Sequence, residues 1–293
     1  IRGGDSEYEE VEPSLEEKTA KWEETIQPLL TENPNSLKLS GKYISNDDVT
    51  IICNYQGMKN VRILDLTDNQ ISDDALPVLF ESDNLAQIEE LYLGINFLIG
   101  QGLIDIASST QIKMKNLKTL VISDNRLTDP SVAEFMRSEN FPNLESLDVG
   151  WNEVGNETAK SLGQITSFPG LKILNMDRSY IEVEALKEMV QGSLMEQLQE
   201  LDLSANKLKD EGVKVLALAP KWKALKQLRL SQNMFGDEGA KALGESVMLG
   251  GLTHLYAGRN YFGNEGAKAI HESKTLTALK TLVLREGVEE DAG

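Results

Sequence analysis

Side chains able to carry covalent or proton-transfer chemistry are few in this chain, and their spacing suits none of the familiar schemes. The two histidines, His254 and His271, fall in different segments of one stretch of chain, the first extended and the second helical in pattern. No HxxxH or HExxH pair occurs, which would place two imidazoles on one metal ion. Cys53 is the only cysteine, so neither an intramolecular disulfide nor a thiolate metal site can form, and a reducing compartment suits the chain. It lies in the apolar run of residues 49–53 and reads as a small core residue. Ser72-Asp73-Asp74 lacks the oxygen spacing of a calcium loop and reads as helix-cap chemistry. No phosphate-cradling glycine loop and no GxSxG elbow appears. Trp222 precedes an extended stretch and reads as packing. The chain is therefore expected to hold no catalytic residue, cofactor or metal.

What the sequence does carry is the chemistry of recognition, repeated at fixed intervals. Residues 198–206 read LQELDLSAN, 225–233 read LKQLRLSQN and 252–260 read LTHLYAGRN. The same nine-position frame, Lxx-Lx-Lxx-N, starts at Val61, Ile88, Leu117, Leu144, Leu171, Leu198, Leu225 and Leu252, with steps of 27 residues and one of 29. Such a period is the signature of a solenoid of stacked units. Apolar positions 4 and 6 alternate with polar neighbours, which is strand spacing. The asparagine at position 9 can donate and accept at once, so it can satisfy backbone groups left open at a corner. A further apolar residue follows at position 11, and then a helix. Asp210, Asp237 and Asn264 are expected to cap the helices that follow them. One unit cannot bury its apolar face alone, so the units must stack.

The frame, its period and the stretches FGDEGAKAL (residues 235–243) and FGNEGAKAI (residues 262–270) resemble the ribonuclease-inhibitor-like class of leucine-rich repeats. That class includes ribonuclease inhibitors, NOD-like receptor sensor domains, Ran GTPase-activating proteins and effectors of intracellular bacteria. The resemblance spans residues 34–293. It implies an α/β horseshoe of about ten repeats, with a parallel β-sheet on the concave face and α-helices on the convex face. It implies no function by itself. A ribonuclease inhibitor proper would be dense in cysteine, unlike this chain.

Residues 1–33 form an acidic leader and a capping helix. They hold ten acids against Arg2, Lys18 and Lys21. Ser14 and Glu17 make a capping box, and Leu15, Trp22, Ile26, Leu29 and Leu30 are expected to cover the open end of the core. Ile1-Arg2-Gly3-Gly4 reads as a plain leader. The chain does not begin with Met, so a segment could precede it. Residues 288–293 are too short for a helix, so either the last strand is left half covered or the protein continues. Apolar runs are far too short to span a bilayer, and the acidic start is unlike a secretory signal. Net charge is −18, which disfavours nucleic acid as a partner.

On such a horseshoe, positions 3, 5, 7 and 8 line the concave face and are not needed for packing. Down the chain they are acidic first, at Asp65, Asp68, Glu90, Asp124, Asp148, Asp177, Glu200 and Asp202. They turn basic later, at Arg229, Arg259 and Arg285, with His254 among them. Tyr92, Trp151 and Tyr256 add large aromatics. Aromatics and arginine are the usual anchors of interfaces, and an acidic face steers a basic partner. The expected function is non-enzymatic recognition, inside a cell, of a protein with a basic surface. Its site residues would be Tyr92, Asp124, Asp148, Trp151, Asp177, Arg178, Asp202, Arg229, Tyr256 and Arg259. The alternative that the resemblance implies is a GTPase-activating protein of the Ran type, for which no catalytic residue maps onto this chain. One unit breaks the frame: residues 171–179 read LKILNMDRS, with Ser179 in place of asparagine. The substitution is either neutral or a local adjustment that presents Arg178 or Tyr180.

Overall fold

A computed structural model describes residues 13–285 and 288–291, with side chains through Leu284. The leader Ile1-Arg2-Gly3-Gly4 and the Arg285 side chain lie outside the described parts. Ten short parallel strands stack in chain order in one sheet: β1 (Ser36–Lys38), β2 (Ile63–Asp65), β3 (Glu90–Tyr92), β4 (Thr119–Val121), β5 (Ser146–Asp148), β6 (Ile173–Asn175), β7 (Glu200–Asp202), β8 (Gln227–Arg229), β9 (His254–Tyr256) and β10 (Thr281–Arg285). The register is constant, so equivalent frame positions face each other, as Leu64 faces Leu91 and Asp148 faces Asn175. Between strands run the helices α1 (Leu15–Glu32), α2 (Asn46–Asn54), α3 (Ala75–Phe80), α4 (Gln101–Ser108), α5 (Asp129–Met136), α6 (Asn156–Leu162), α7 (Val183–Met189), α8 (Lys209–Leu218), α9 (Asp237–Glu245) and α10 (Asn264–His271), with α1 preceding β1. Strands stack at about 4.8 Å, whereas packed helices need about 8–10 Å. Stacking one against the other bends the solenoid and puts the sheet inside. No described helix is long and apolar enough to cross a membrane.

The core follows the frame. The position 4 leucines from Leu64 to Leu282 are at most 1% exposed, each contributing about 1.5–3 kcal/mol by burial. Phe80, Phe141, Phe135 and Phe168 form an aromatic chain through the core, with ring centroids 5.1–5.9 Å apart. Cys53 is buried, and burial pushes its thiol up to about 12, which leaves no thiolate near neutrality. Trp222 is buried, its indole N–H donating to the Leu216 carbonyl at 2.9 Å.

The asparagines join the repeats. Asn125 Oδ1 accepts from the backbone N–H groups of Asn96 and Leu98, both at 3.1 Å. Its Nδ2 donates to the carbonyls of Leu93 at 3.0 Å and Ile122 at 3.1 Å. Asn69, Asn96, Asn152, Asn233 and Asn260 likewise accept from the preceding repeat and donate to backbone carbonyls. The residue before each of these is held at positive φ, from Asp68 at 56° to Arg259 at 53°. The ladder fails at Ser179. Its buried Oγ has no hydrogen-bond partner, and neither does Asn206 Oδ1 one repeat later, although Asn206 Nδ2 still donates to Met176 and Leu203.

The helix caps differ from the sequence expectation. Asp210 and Asp237 do not cap their own helices, whose N-cap residues are Leu208 and Gly236. Asp210 Oδ1 instead accepts from the N–H groups of Gly236 and Gly239, at the start of the next helix, at 2.8 and 2.7 Å. Asp237 does the same for Gly263 and Gly266, both at 2.8 Å. Asp73 serves Ile99, Gly100 and Gly102, and Asp129 serves Gly155, Glu157 and Thr158. Asn264 opens α10, whose N-cap is Gly263. The stacking offset brings each carboxylate under the following helix, where free N–H groups and the helix dipole favour it. Gly239 permits this approach, since a Cβ there would lie 2.8 Å from Asp210 Oδ1.

At the amino end, Ser14 and Glu17 form the expected capping box. Trp22 and Ile26 are buried, Leu29 and Leu30 pack partly, and Trp22 Nε1 donates to Asp48 Oδ1 at 2.7 Å. Leu15 departs from expectation: it starts the helix about two turns before the first buried residue, Trp22, and is 70% exposed. At the other end the last described residues form a strand, β11 (Val288–Asp291), antiparallel to β10.

Replacing Ser179 with Asn should restore the missing rung and raise stability by about 1 kcal/mol, whereas Asn125→Ala should lower it by about 2–4 kcal/mol, because it strands buried backbone groups. Urea unfolding of both variants, read by far-UV circular dichroism, checks this. A Ser179→Asn midpoint at or below that of the parent would show that the corner cannot use the asparagine.

Candidate recognition surface on the sheet

Position 5 forms the central row of the concave face: Asp65, Tyr92, Val121, Asp148, Asn175, Asp202, Arg229 and Tyr256 lie on successive strands in register. These residues are not free of structural duty, contrary to the sequence expectation. Asp148 Oδ1 accepts from Gly150 N–H at 3.0 Å, Asp202 Oδ1 from Ser204 N–H at 2.8 Å, and Asp65 and Asn175 bond to the equivalent N–H groups. Each carboxylate thus closes a local turn where its strand ends.

Asp177, at position 7 beside this row, joins Asp148 and Asp202 in one cluster. Room for it comes from Gly150, where a Cβ would lie only 1.9 Å from Asp177 Oδ1. Burial first, and then the charges of Asp202 and Asp148, push the Asp177 carboxyl up to about 6. The Trp151 indole and the Arg178 guanidinium oppose that shift. Burial, reinforced by Asp202, also raises Asp148, against hydrogen bonds from Gly150, Ser123 and Asn175. The Arg178 guanidinium stacks 3.6 Å above the Trp151 ring. Trp151 remains 47% exposed. A groove of about 290 Å³ runs across β4 to β8, lined in part by Asp148, Asn175, Asp202 and Arg229. It offers fixed negative charge with a cation–aromatic plate at its edge.

The other expected site residues lie apart from this cluster. The Arg229 guanidinium sits 4.0 Å over the Tyr256 ring, on the far side of Asp202. Tyr92 lies two strands from Asp148 and donates its hydroxyl to Glu90 at 2.7 Å, which with burial raises it to about 12. Asp124 and Arg259 occupy positive-φ corners at the rim rather than the floor. Two features escaped the sequence reading. At position 2, Arg62, Glu89, Lys118, Glu145 and Lys172 alternate in sign, with Glu89 pairing to Arg62 and Lys118, and Glu145 to Lys172. At the rim, exposed Tyr43, Phe97, Tyr180, Met234 and Tyr261 all stand at position 10. Reading those two positions down the repeats would have revealed both. Among the described residues no group of three or more histidine, cysteine, aspartate or glutamate side chains could hold a metal ion.

A carboxyl raised in the folded state above its unfolded value near 3.8 binds its proton more readily when folded. The stability penalty is therefore present above pH 6 and is relieved as pH falls through 6 towards 4. Asp177→Asn should be more stable than the parent at pH 7.5, by about 1 kcal/mol once partial exposure is allowed for. The difference should shrink by pH 5. Paired urea titrations at the two pH values test this, and a pH-independent difference would refute the charge cluster as its cause.

Five stretches, residues 57–76, 113–136, 142–163, 197–217 and 224–244, match the family described as Leucine Rich repeat. No curated protein matches the chain. Among solved structures it is similar to the crystal structure of an internalin (InlF) from Listeria monocytogenes, at 20% identity and a TM-score of 0.46 over 91% of this chain and 89% of that one. It is also similar to the Arabidopsis receptor kinase HAESA, solved in complex with the peptide hormone IDA and the co-receptor SERK1, at 22% identity and a TM-score of 0.48, with 87% of this chain covered. The chain spans 42% of that receptor chain. With ten in-register strands, the joining asparagines and the matched stretches, the chain folds as a leucine-rich-repeat solenoid.

Proposed function

We propose that this chain is a non-enzymatic recognition module of the ribonuclease-inhibitor-like class, with residues 1–33 serving as acidic leader and cap and residues 34–293 as the binding domain. It acts inside a cell, a setting that the single cysteine suits, and grips a basic protein surface on its concave face. The observation that carries this reading is the cluster of Asp148, Asp177 and Asp202 beside Trp151. Burial and mutual repulsion raise Asp148 and Asp177. A partner lysine or arginine placed among them would relieve that repulsion, and the Trp151 and Arg178 plate would bury apolar area next to it. Arg229 over Tyr256 supplies the opposite charge on the strand next to Asp202, which sets the orientation of the partner.

The double variant Asp148→Asn/Asp202→Asn tests the proposal, because Asn keeps the acceptor for Gly150 and Ser204 while removing the charge. Proteins captured from a cell lysate by the parent chain at 50 mM salt should be lost with this variant, and lost from the parent at 500 mM salt. Capture that withstands both changes would reject electrostatic recognition on the sheet.

A further inference from the structure

The corner that follows β3 has a property that none of its neighbours shares. Positions 8, 10 and 12 of each repeat point outward along the rim where the strands end. Around β3 these are Ile95, Phe97 and Ile99, exposed by 48%, 52% and 58%. In the repeats on either side the same positions hold Asp68, Gln70 and Ser72, and Asp124, Arg126 and Thr128. The chain therefore displays three large apolar side chains together where the repeats on either side place polar residues, and among the described residues no other repeat fills all three positions with large apolar groups. The core does not require them, since Leu93 and Leu98 fill the interior of this corner with no exposure.

Two further observations set the patch apart. Ile95 has φ of 55°. A β-branched residue is disfavoured there, and the equivalent corners hold Asp68, Asp124, Trp151, Arg178, Ala205, Gln232 and Arg259, none of them β-branched. The strain brings no packing, which points to a role in binding. The backbone beneath is also held in place: Phe97 N–H donates to the Ile71 carbonyl at 2.8 Å and Arg126 N–H to the Leu98 carbonyl at 2.9 Å. The patch is thus presented on a second hydrogen-bonded ladder, so little order has to be gained on binding.

Its electrostatic frame selects the partner. Asp68 and Asp124 stand on the repeats to either side, about 5 Å away by strand spacing, exposed and in no ion pair among the described residues. Asp74 and Glu153 are exposed on these and the following repeat, and Arg126 is the one basic residue at positions 8, 10 and 12 of the three repeats. A second copy, also carrying a net charge of −18, would bring like charges together.

We propose that Ile95, Phe97 and Ile99 form a docking site for a protein segment that presents a bulky apolar side chain flanked by lysine or arginine. The site is separate from the carboxylate cluster on the sheet. The distance from β3 to β5 is about 10 Å by strand spacing, and the patch faces outward from the rim.

The test is a titration of the full chain, with its isoleucine methyl groups labelled for NMR, against two synthetic peptides. One has the sequence Lys-Lys-Leu-Phe-Lys-Lys and the other Glu-Glu-Leu-Phe-Glu-Glu. The basic peptide should produce saturable shifts of the Ile95 and Ile99 methyls, and bind at least tenfold more tightly than the acidic one. Phe97→Ser should abolish those shifts while the remaining methyl spectrum superimposes on that of the parent. Ile173, on the sheet beside Asn175, reports the concave cluster in the same spectra. Shifts at Ile173 without any at Ile95 and Ile99 would overturn the rim site and leave the sheet reading intact. No saturable shift of the two rim methyls, or equal response to both peptides, would overturn the proposal. So would concentration-dependent shifts of Ile95 and Ile99 in protein alone with a dimer on sedimentation, which would make the patch a self-association face.

Discussion

The stack depends on one kind of side chain that donates and accepts at the same time. An amide placed where the strand turns can bond to a carbonyl of its own repeat, a carbonyl of the preceding one and the N–H groups of that repeat's corner. No shorter hydroxyl has that reach. The break at Ser179 shows what the rung supplies, because the unpartnered buried side-chain oxygens of the described residues, Ser179 Oγ and Asn206 Oδ1, belong to that rung and the next one. The positive-φ residue before each asparagine is the conformational counterpart, turning the chain so that the amide points inward.

Around this ladder the other interactions also run between repeats rather than within them. The capping carboxylates of Asp73, Asp129, Asp210 and Asp237 each serve the next helix. The ion pairs from Arg62 to Lys172 step from strand to strand, as exposed pairs of small individual value. Stability of this kind is cooperative along the stack and weak at its ends. The amino end meets that need with Trp22 and Ile26 laid over the first repeat. At the other end β11 reverses direction against β10.

Once stacking is satisfied, the exposed surface is left for recognition, and it divides into floor and rim. The floor combines negative charge with the Arg229 and Tyr256 pair, and the Trp151 and Arg178 plate stands at its edge, on the rim corners. The rim carries aromatic and aliphatic groups on fixed backbone. Even on the floor structure and recognition overlap, because Asp148 and Asp202 hold their own turns with an oxygen that a purely variable position would not need.

By itself the sequence determined the period, the strands, the buried leucines, the asparagine ladder, its break at Ser179 and the absence of spacing for metal or nucleophilic chemistry. These are legible because each recurs at a fixed offset and is set by neighbours a few residues away. The tertiary structure alone decided which variable residues meet. Asp177 reaches Asp148 and Asp202 because Gly150, 27 residues earlier, has no side chain to block it. Asp210 caps a helix other than its own because the repeats are offset as they stack. Such contacts join equivalent places on adjacent turns of the solenoid, so they depend on the exact offset and corner geometry between turns, which a frame read along one repeat does not contain.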